Sequence, residues 1–380
     1  MGFIDTQQSE VVEKWKLHTL RAGTHDRQNG KELEKRRSLM KYGEKLLGWF
    51  VIGILASATL LFPLSALAGG VNHEPLGAEA FLAGILPPPG FYVKEYLNYY
   101  TADKLKDNGG RTLSLSRDGT ALDKLEVYAS STRFLYISPV KILGGSLGAQ
   151  MIIPWVRTSL KLDASTPGGL SEMGEHRNAI GDVTLGPNLS WHSKNGLFHA
   201  ATGLDITAPM GPWNERHLVN VGANVWSFSP VLAATVFFPW HPNLSAGVKM
   251  DYSFSTRNDD FILSPSTAAK IGNVGFTGLE THLLPGQEFH FDYGIEYALT
   301  KTGAAHQFRI GAFGYFYQQT TEDKTGEGRV RHDLGRVFAI GPGAWWTYKK
   351  WVVEAHTAFE MAVRNRPEGI NSYLTIVHTF

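Results

Sequence analysis

Along much of this chain apolar and polar side chains alternate with a period of two, the signature of β-strands whose two faces meet different surroundings. In "QEFHFDYGIEYAL", residues 287–299, Phe289, Phe291, Tyr293, Ile295, Tyr297 and Leu299 share one face, and Glu288, His290, Asp292, Gly294, Glu296 and Ala298 share the other. In "NLSAGVKMDYSFST" Leu244, Ala246, Val248, Met250, Tyr252 and Phe254 oppose Ser245, Gly247, Lys249, Asp251 and Ser253. "WVVEAHTAFEMAVRN" repeats the scheme, with Trp351, Val353, Ala355, Thr357, Phe359, Met361 and Val363 against Glu354, His356, Glu360 and Arg364. A soluble antiparallel sandwich also alternates, but its strands average about five or six residues. These run to about double that, matching the roughly nine to eleven tilted residues that cross a bilayer.

Such segments, punctuated by Gly, Asn, Asp, Ser and Pro clusters, recur near 91–101, 124–137, 147–161, 180–193, 197–208, 218–229, 231–240, 244–255, 273–284, 287–299, 306–319, 336–348, 350–364 and 371–380. Some neighbours are expected to merge, giving about twelve strands, with ten or fourteen as competitors and an even number favoured. No repeat of fixed period appears beyond this rhythm. The predicted fold is therefore all-β, a membrane-spanning antiparallel up-and-down β-barrel with its greasy face on outer-membrane lipid and its ionic face on a polar lumen. A secreted or periplasmic β-sandwich is the competing architecture. The ending "NSYLTIVHTF" is a last alternating strand whose terminal Phe380 resembles the signal read by the barrel assembly machinery, with His378 a departure from the usual apolar residue.

Upstream, "MKYGEKLLGWFVIGILASATLLFPLSALA" follows Lys41 and Lys45 with an apolar run and Ala66-Leu67-Ala68, the order of a secretory signal peptide cleaved after Ala68. An uncleaved membrane anchor is the alternative. The chain thus divides into a polar extension or mis-assigned start over 1–39, a signal peptide over 40–68, a short lead-in over 69–90 and a barrel over 91–380. Translation from Met40 would remove the first part; a cytosolic extension or an amphipathic helix around Val11 to Leu20 would keep it.

Composition narrows the partners. With 36 basic and 35 acidic residues the formal charge is +1, which leaves no electrostatic attraction for nucleic acid. Aromatic residues at 12% together with 41 glycines suit strands, tight turns and aromatic belts. Cysteine is absent, so disulfides and thiolate metal sites are excluded. No nucleotide-binding loop, His-Glu-x-x-His, Gly-x-Ser-x-Gly or calcium loop occurs, and the scattered histidines match no metal spacing. No cofactor, metal or catalytic set is expected. An outer-membrane lipid-modifying enzyme would need a Ser, a His and an acid gathered at the rim, and a structural barrel would need no path at all.

Alternation assigns Lys249, Asp251, Glu288, His290, Asp292, Glu296, Arg309, Glu354, His356, Glu360 and Arg364 to the lumen, where both signs of charge can pair. In "QFRIGAFGYFYQQTT" the face of Arg309 continues through Phe313, Tyr315 and Tyr317. These rings are candidates for a stacking platform on a solute path. The favoured alternative is an aromatic girdle at the membrane interface, or a β-bulge returning them to lipid.

Several stretches resemble a known family: "PPPGFYVKEYLNYYTADKLKDNGG", "IGDVTLGPNLSWH", "TGLDITAPMGPW", "NVGANVWSFSPVLAATVF" and "IGPGAWWTYKKW...FEMAVRNRPEGINSYLTIVHTF". Their order and spacing resemble the family named for the meta-pathway of phenol degradation, outer-membrane barrels commonly described as transporters. The resemblance implies the outer membrane of a Gram-negative bacterium, a barrel, and passive uptake of a small hydrophobic or aromatic solute. It implies no catalytic residues, and its link to phenol catabolism comes from gene context.

Overall fold

The computed structural model describes residues 75–79, 81–118, 120–166, 169–301 and 304–379. The polar extension, the signal peptide, residues 69–74 and 80 of the lead-in and Phe380 lie outside them. In chain order the strands are β1 (Gly90–Leu105), β2 (Thr120–Ile142), β3 (Gly145–Thr166), β4 (Gly169–Ile180), β5 (Val183–His192), β6 (Phe198–Ala208), β7 (Ser227–Phe238) and β8 (His241–Ser255). They continue as β9 (Asn258–Ile262), β10 (Glu280–Leu284), β11 (Glu288–Ala298), β12 (His306–Gln319), β13 (Lys324–Thr325), β14 (Gly328–Arg329), β15 (Arg336–Tyr348), β16 (Trp351–Arg364) and β17 (Pro367–Thr379). Two short helices, α1 (Leu115–Asp118) and α2 (Pro265–Ile271), sit in loops.

Thirteen of these strands form one antiparallel sheet that closes on itself through the β2–β3 pairing. β4 and β5 both pair with β3, β4 along its outer half and β5 along its inner half. Together they make one stave, interrupted at Gly181 and Asp182, so the barrel wall has twelve staves. The interruption is held by Asp182, whose carboxylate accepts from the backbone N–H of Gly211 and of Ala223, each at 2.8 Å. Closure pairs the staves all the way round, as a strand protein in lipid requires, while β4 keeps one unpaired edge beyond β6.

One end of the barrel carries short connections. A two-residue turn joins β2 to β3 through Leu143 and Gly144, both at positive φ (50° and 79°), the geometry of a primed hairpin turn. Long segments occupy the other end. There β9, β10, β13 and β14 form a separate four-stranded sheet in the order β14-β13-β10-β9, and α2 begins at the Ser264 cap beside it. Short turns at one end and long loops at the other is the asymmetry of outer-membrane barrels.

Outward residues are the apolar ones: Ile295 is 55% exposed, Leu232 57% and Phe359 48%. In the same strands Asp292 and Glu296 are 1% exposed and Glu354 5%, facing inward. Where the expected strands differ from the observed ones, the cause is local. Residues 218–226 form loop rather than strand, and β7 starts only at Ser227. Of 273–284, only β10 is extended, in the small sheet outside the barrel. β4 was not anticipated because "GLSEMGEHRNAI" is polar on both faces. Arg364 is a correction: Ala362 takes φ 53° and the β15–β16 register shifts, so Val363 turns inward at 2% exposure and Arg364 joins the exposed face. A one-residue bulge exchanges the faces beyond it.

Two outcomes follow from this placement. Leu232→Arg, at an outward mid-strand position, should cost about 2 to 4 kcal/mol, whereas Val231→Arg, on the cavity side, should cost clearly less. Refolding titrations in lipid bilayers read both, and equal costs would contradict the assignment of faces. The second concerns the loop end, where Asp323 accepts from Gly286 N–H at 2.6 Å and from the Gln319 amide at 2.8 Å. Burial, joined by the charges of Asp333 and Glu288, pushes its carboxyl up to about 7. The folded loop therefore binds more protons than the unfolded one, so the stability it contributes is complete below about pH 4 and is lost as pH rises through about 7. Proteolysis of the 320–335 loop should be faster at about pH 8 than at about pH 5, and Asp323→Asn should flatten that difference.

Candidate functional site

The lumen is not empty. Residues 75–79 and 81–86 of the lead-in run inside the barrel, pinned to its wall by backbone and side-chain contacts. Asp292 on β11 accepts from Gly77 N–H at 2.7 Å with one carboxylate oxygen and from Glu79 N–H at 2.9 Å with the other. Glu296, four residues along the same face, accepts from Leu82 N–H at 3.2 Å. The Thr235 hydroxyl accepts from Gly84 N–H at 2.9 Å, and Asn371 donates to the Leu76 carbonyl at 2.9 Å. Gly84 approaches β7 so closely that a Cβ there would lie 2.5 Å from the Thr235 nitrogen. Only glycine permits that approach.

Side chains complete the anchorage. The Glu79 carboxylate meets Lys94 of β1 at 3.0 Å and Arg133 of β2 at 2.5 Å, and it accepts the Tyr96 hydroxyl. Phe81 packs on Phe313 with ring centroids 3.7 Å apart and planes 37° apart. The lead-in thus touches β1 and β2 on one side and β7, β11, β12 and β17 on the other.

The expected lumen residues are brought together behind it. His290 lies between Asp251 at 2.9 Å and Asp292 at 2.6 Å, one carboxylate oxygen on each ring nitrogen. Both nitrogens being occupied, the ring has none left for a metal ion. Arg309 pairs with Glu296 at 3.0 Å and with the Ser245 hydroxyl at 2.9 Å. Glu354 and His356 lie 3.2 Å apart, and the His356 ring stacks on Tyr373. Glu288 accepts the Tyr317 hydroxyl and Glu360 accepts the Tyr315 hydroxyl, each at 2.9 Å. Lys249 faces the remaining cavity. Of the set, Arg364 alone is exposed.

Phe313, Tyr315 and Tyr317 point into the lumen, with exposures of 0%, 1% and 1%. They are therefore not a girdle facing lipid. Nor do they line the cavity: Tyr315 and Tyr317 pack with Leu76, Val337, Ala339, Ala358 and Val363, so the rings fill one half of the barrel.

Beside them lies a cavity of about 610 Å³ between the lead-in and the inner faces of β1, β2, β3, β5, β6 and β7, with further lining from β8, β12, β15, β16 and β17. It extends from the loop residues Asn220 and Val221 to Thr347 and Val352, near the short-turn end. Ile152, Val231, Phe237, Trp345 and Leu82 give it an apolar surface. Its charged lining comprises the four cations Lys94, Arg133, Lys249 and Arg309 and the four anions Glu79, Asp182, Asp205 and Glu354. The formal charges cancel.

Sequence reasoning missed Glu79, Lys94, Arg133, Gln150, Asn188 and Asp205. In β1 the inward row Tyr92, Lys94, Tyr96, Asn98 is as mixed as the outward row Val93, Glu95, Leu97, so alternation carried no sign of direction. The outward Glu95 is satisfied by Ser130 and Thr132, at 2.5 and 2.6 Å.

The sequence profile of a family described as the MetA-pathway of phenol degradation matches residues 102–376. Among solved structures, an outer membrane channel from Pseudomonas putida F1 is similar at 18% identity and a TM-score of 0.60, covering 81% of this chain and 99% of that one. A monoaromatic hydrocarbon channel, CymD, aligns at 10% identity over 77% of this chain and 90% of that one, with a TM-score of 0.37. None of the curated proteins compared matches the chain. The first likeness shows the barrel fold; the second is too remote to add to it.

The anchorage makes a direct prediction. Glu79→Ala leaves Lys94 and Arg133 buried without their carboxylate, a loss of about 3 to 5 kcal/mol for a broken buried pair. The lead-in should detach, raising single-channel conductance and exposing residues 75–86 to protease while the barrel stays folded. Unchanged conductance and protection would contradict its role as the anchor.

Proposed function

Because the chain belongs to the family described as the MetA-pathway of phenol degradation, we propose that it is an outer-membrane channel through which small neutral hydrophobic or aromatic molecules diffuse past the lead-in. The observation that carries this reading is the cavity. Its volume of about 610 Å³ lies within the range of small-molecule sites, its surface is largely apolar, and its charges are balanced four against four. A lumen of one sign would concentrate counter-ions; this one offers no such attraction, while apolar walls and aromatic rings favour uncharged solutes.

The location follows the same reading: the outer membrane of a Gram-negative bacterium, with the exposed apolar face on lipid and the last strand read by the barrel assembly machinery. Passage is passive and requires no cofactor. The buried Asp251–His290–Asp292 cluster behind the lead-in holds the wall and the lead-in together rather than meeting the solute.

Uptake in a Gram-negative host lacking aromatic channels tests the proposal. Expression of the full chain should raise the initial uptake rate of radiolabelled toluene and leave benzoate, the charged analogue, at background. Faster benzoate uptake with unchanged toluene, or no change in either with folded barrel in the outer membrane, would contradict it.

A further inference from the structure

Given that the cavity carries neutral aromatic molecules, as proposed above, we propose that Gln150, Asn188 and Asp205 form a hydroxyl-binding subsite in its wall, favouring phenol-class solutes over plain hydrocarbons. The three residues sit on β3, β5 and β6, adjacent staves whose inner faces line the cavity. They occupy two rows of the sheet. In one row Gly148 of β3 pairs with Asn188 of β5, which pairs with Gly203 of β6. In the next, Gln150 pairs with Gly186, and Gln150 reaches past that glycine to donate from Nε2 to Asp205 Oδ1 at 2.5 Å.

Glycine is what makes this construction possible. A Cβ at position 186 would collide with the Asp205 carboxylate, and one at 148 would collide with the Asn188 amide oxygen. Neither glycine has the positive φ that would explain it otherwise. Each leaves room for a longer polar side chain from the neighbouring stave to lie along the wall.

The construction leaves hydrogen-bonding capacity unused. Gln150 Oε1, Asn188 Oδ1 and Asn188 Nδ2 are buried and have no hydrogen-bond partner among the described residues. Such atoms are uncommon in folded proteins because they lose water without a replacement. Asn188 lines the cavity, so a χ2 rotation turns either amide atom toward it. The free groups are acceptors and an N–H donor side by side. A hydroxyl both donates and accepts, so it satisfies this set, whereas a hydrocarbon satisfies none of it. A carboxylate would meet Asp205 at close range. Polar groups left unpaired are also what makes such a site discriminate against the analogue lacking the hydroxyl.

The test uses the uptake assay with phenol and toluene supplied as an equimolar mixture, each rate taken above the vector background. The wild-type chain should take up phenol in preference to toluene. Asn188→Leu should lower the phenol-to-toluene ratio about tenfold, the loss expected for one or two neutral hydrogen bonds. Gln150→Met, which keeps the length of the side chain, is the second variant and should lower the ratio less. The heat-dependent mobility shift of a folded barrel verifies that each variant assembles. Ratios unchanged in both folded variants would overturn the subsite while leaving the aromatic channel standing. No uptake of either solute by the wild type would overturn the channel reading, and the subsite with it.

Discussion

A chain that runs through the inside of a barrel must find acceptors for its backbone N–H groups, because the strands around it have already used theirs on one another. Asp292 supplies that need twice, one oxygen for Gly77 and one for Glu79. Its own charge is held by His290, which Asp251 holds from the other side. The ionic face of β11, turned into the lumen, is thus the docking strip for the lead-in. Removing it would leave the N–H groups of the lead-in without partners and several charges without counter-charges, each costly in a site shielded from water.

The occupied half of the lumen defines the unoccupied half. At twelve staves a barrel is wider than side chains alone can fill and narrower than an open porin. Here the lead-in, Phe313, Tyr315 and Tyr317 fill much of the side of β11 to β17, and the cavity remains mainly along β1 to β7, bordered by Arg309, Trp345 and Glu354 of the other side. The wall of the cavity is mainly apolar, with charged side chains of both signs along its length and the amides of Gln150 and Asn188 beside Asp205.

Alternation made the wall legible because lipid and lumen impose opposite demands on consecutive residues. The face assignments for Glu288, His290, Asp292 and Glu296 could be read directly from residues 287–299, and they lie inward. β4 was not legible, since it rises beyond the paired length of β6 and both its faces are polar. Arg364 was misplaced by a single bulge, which no period of two can register. The lead-in was invisible for a different reason: Gly77 and Asp292 are 215 residues apart in sequence, and "PLGAEAFLAGILPP" has no strand period to announce where it lies. The cavity inherits that blindness, because its shape is what the lead-in leaves over.

The seat of the lead-in inside the lumen is the claim on which the account rests, and the chain's lack of cysteine allows it to be read chemically. Ala78, 4% exposed between Tyr96 and Tyr373, is replaced by cysteine, with Lys194→Cys in an exposed short turn as the reference. The rate of labelling by a water-soluble maleimide is then measured on the folded barrel and again after unfolding. The account predicts that position 78 is protected in the folded barrel and reacts like position 194 once unfolded. Equal labelling of the two positions in the folded barrel would contradict it.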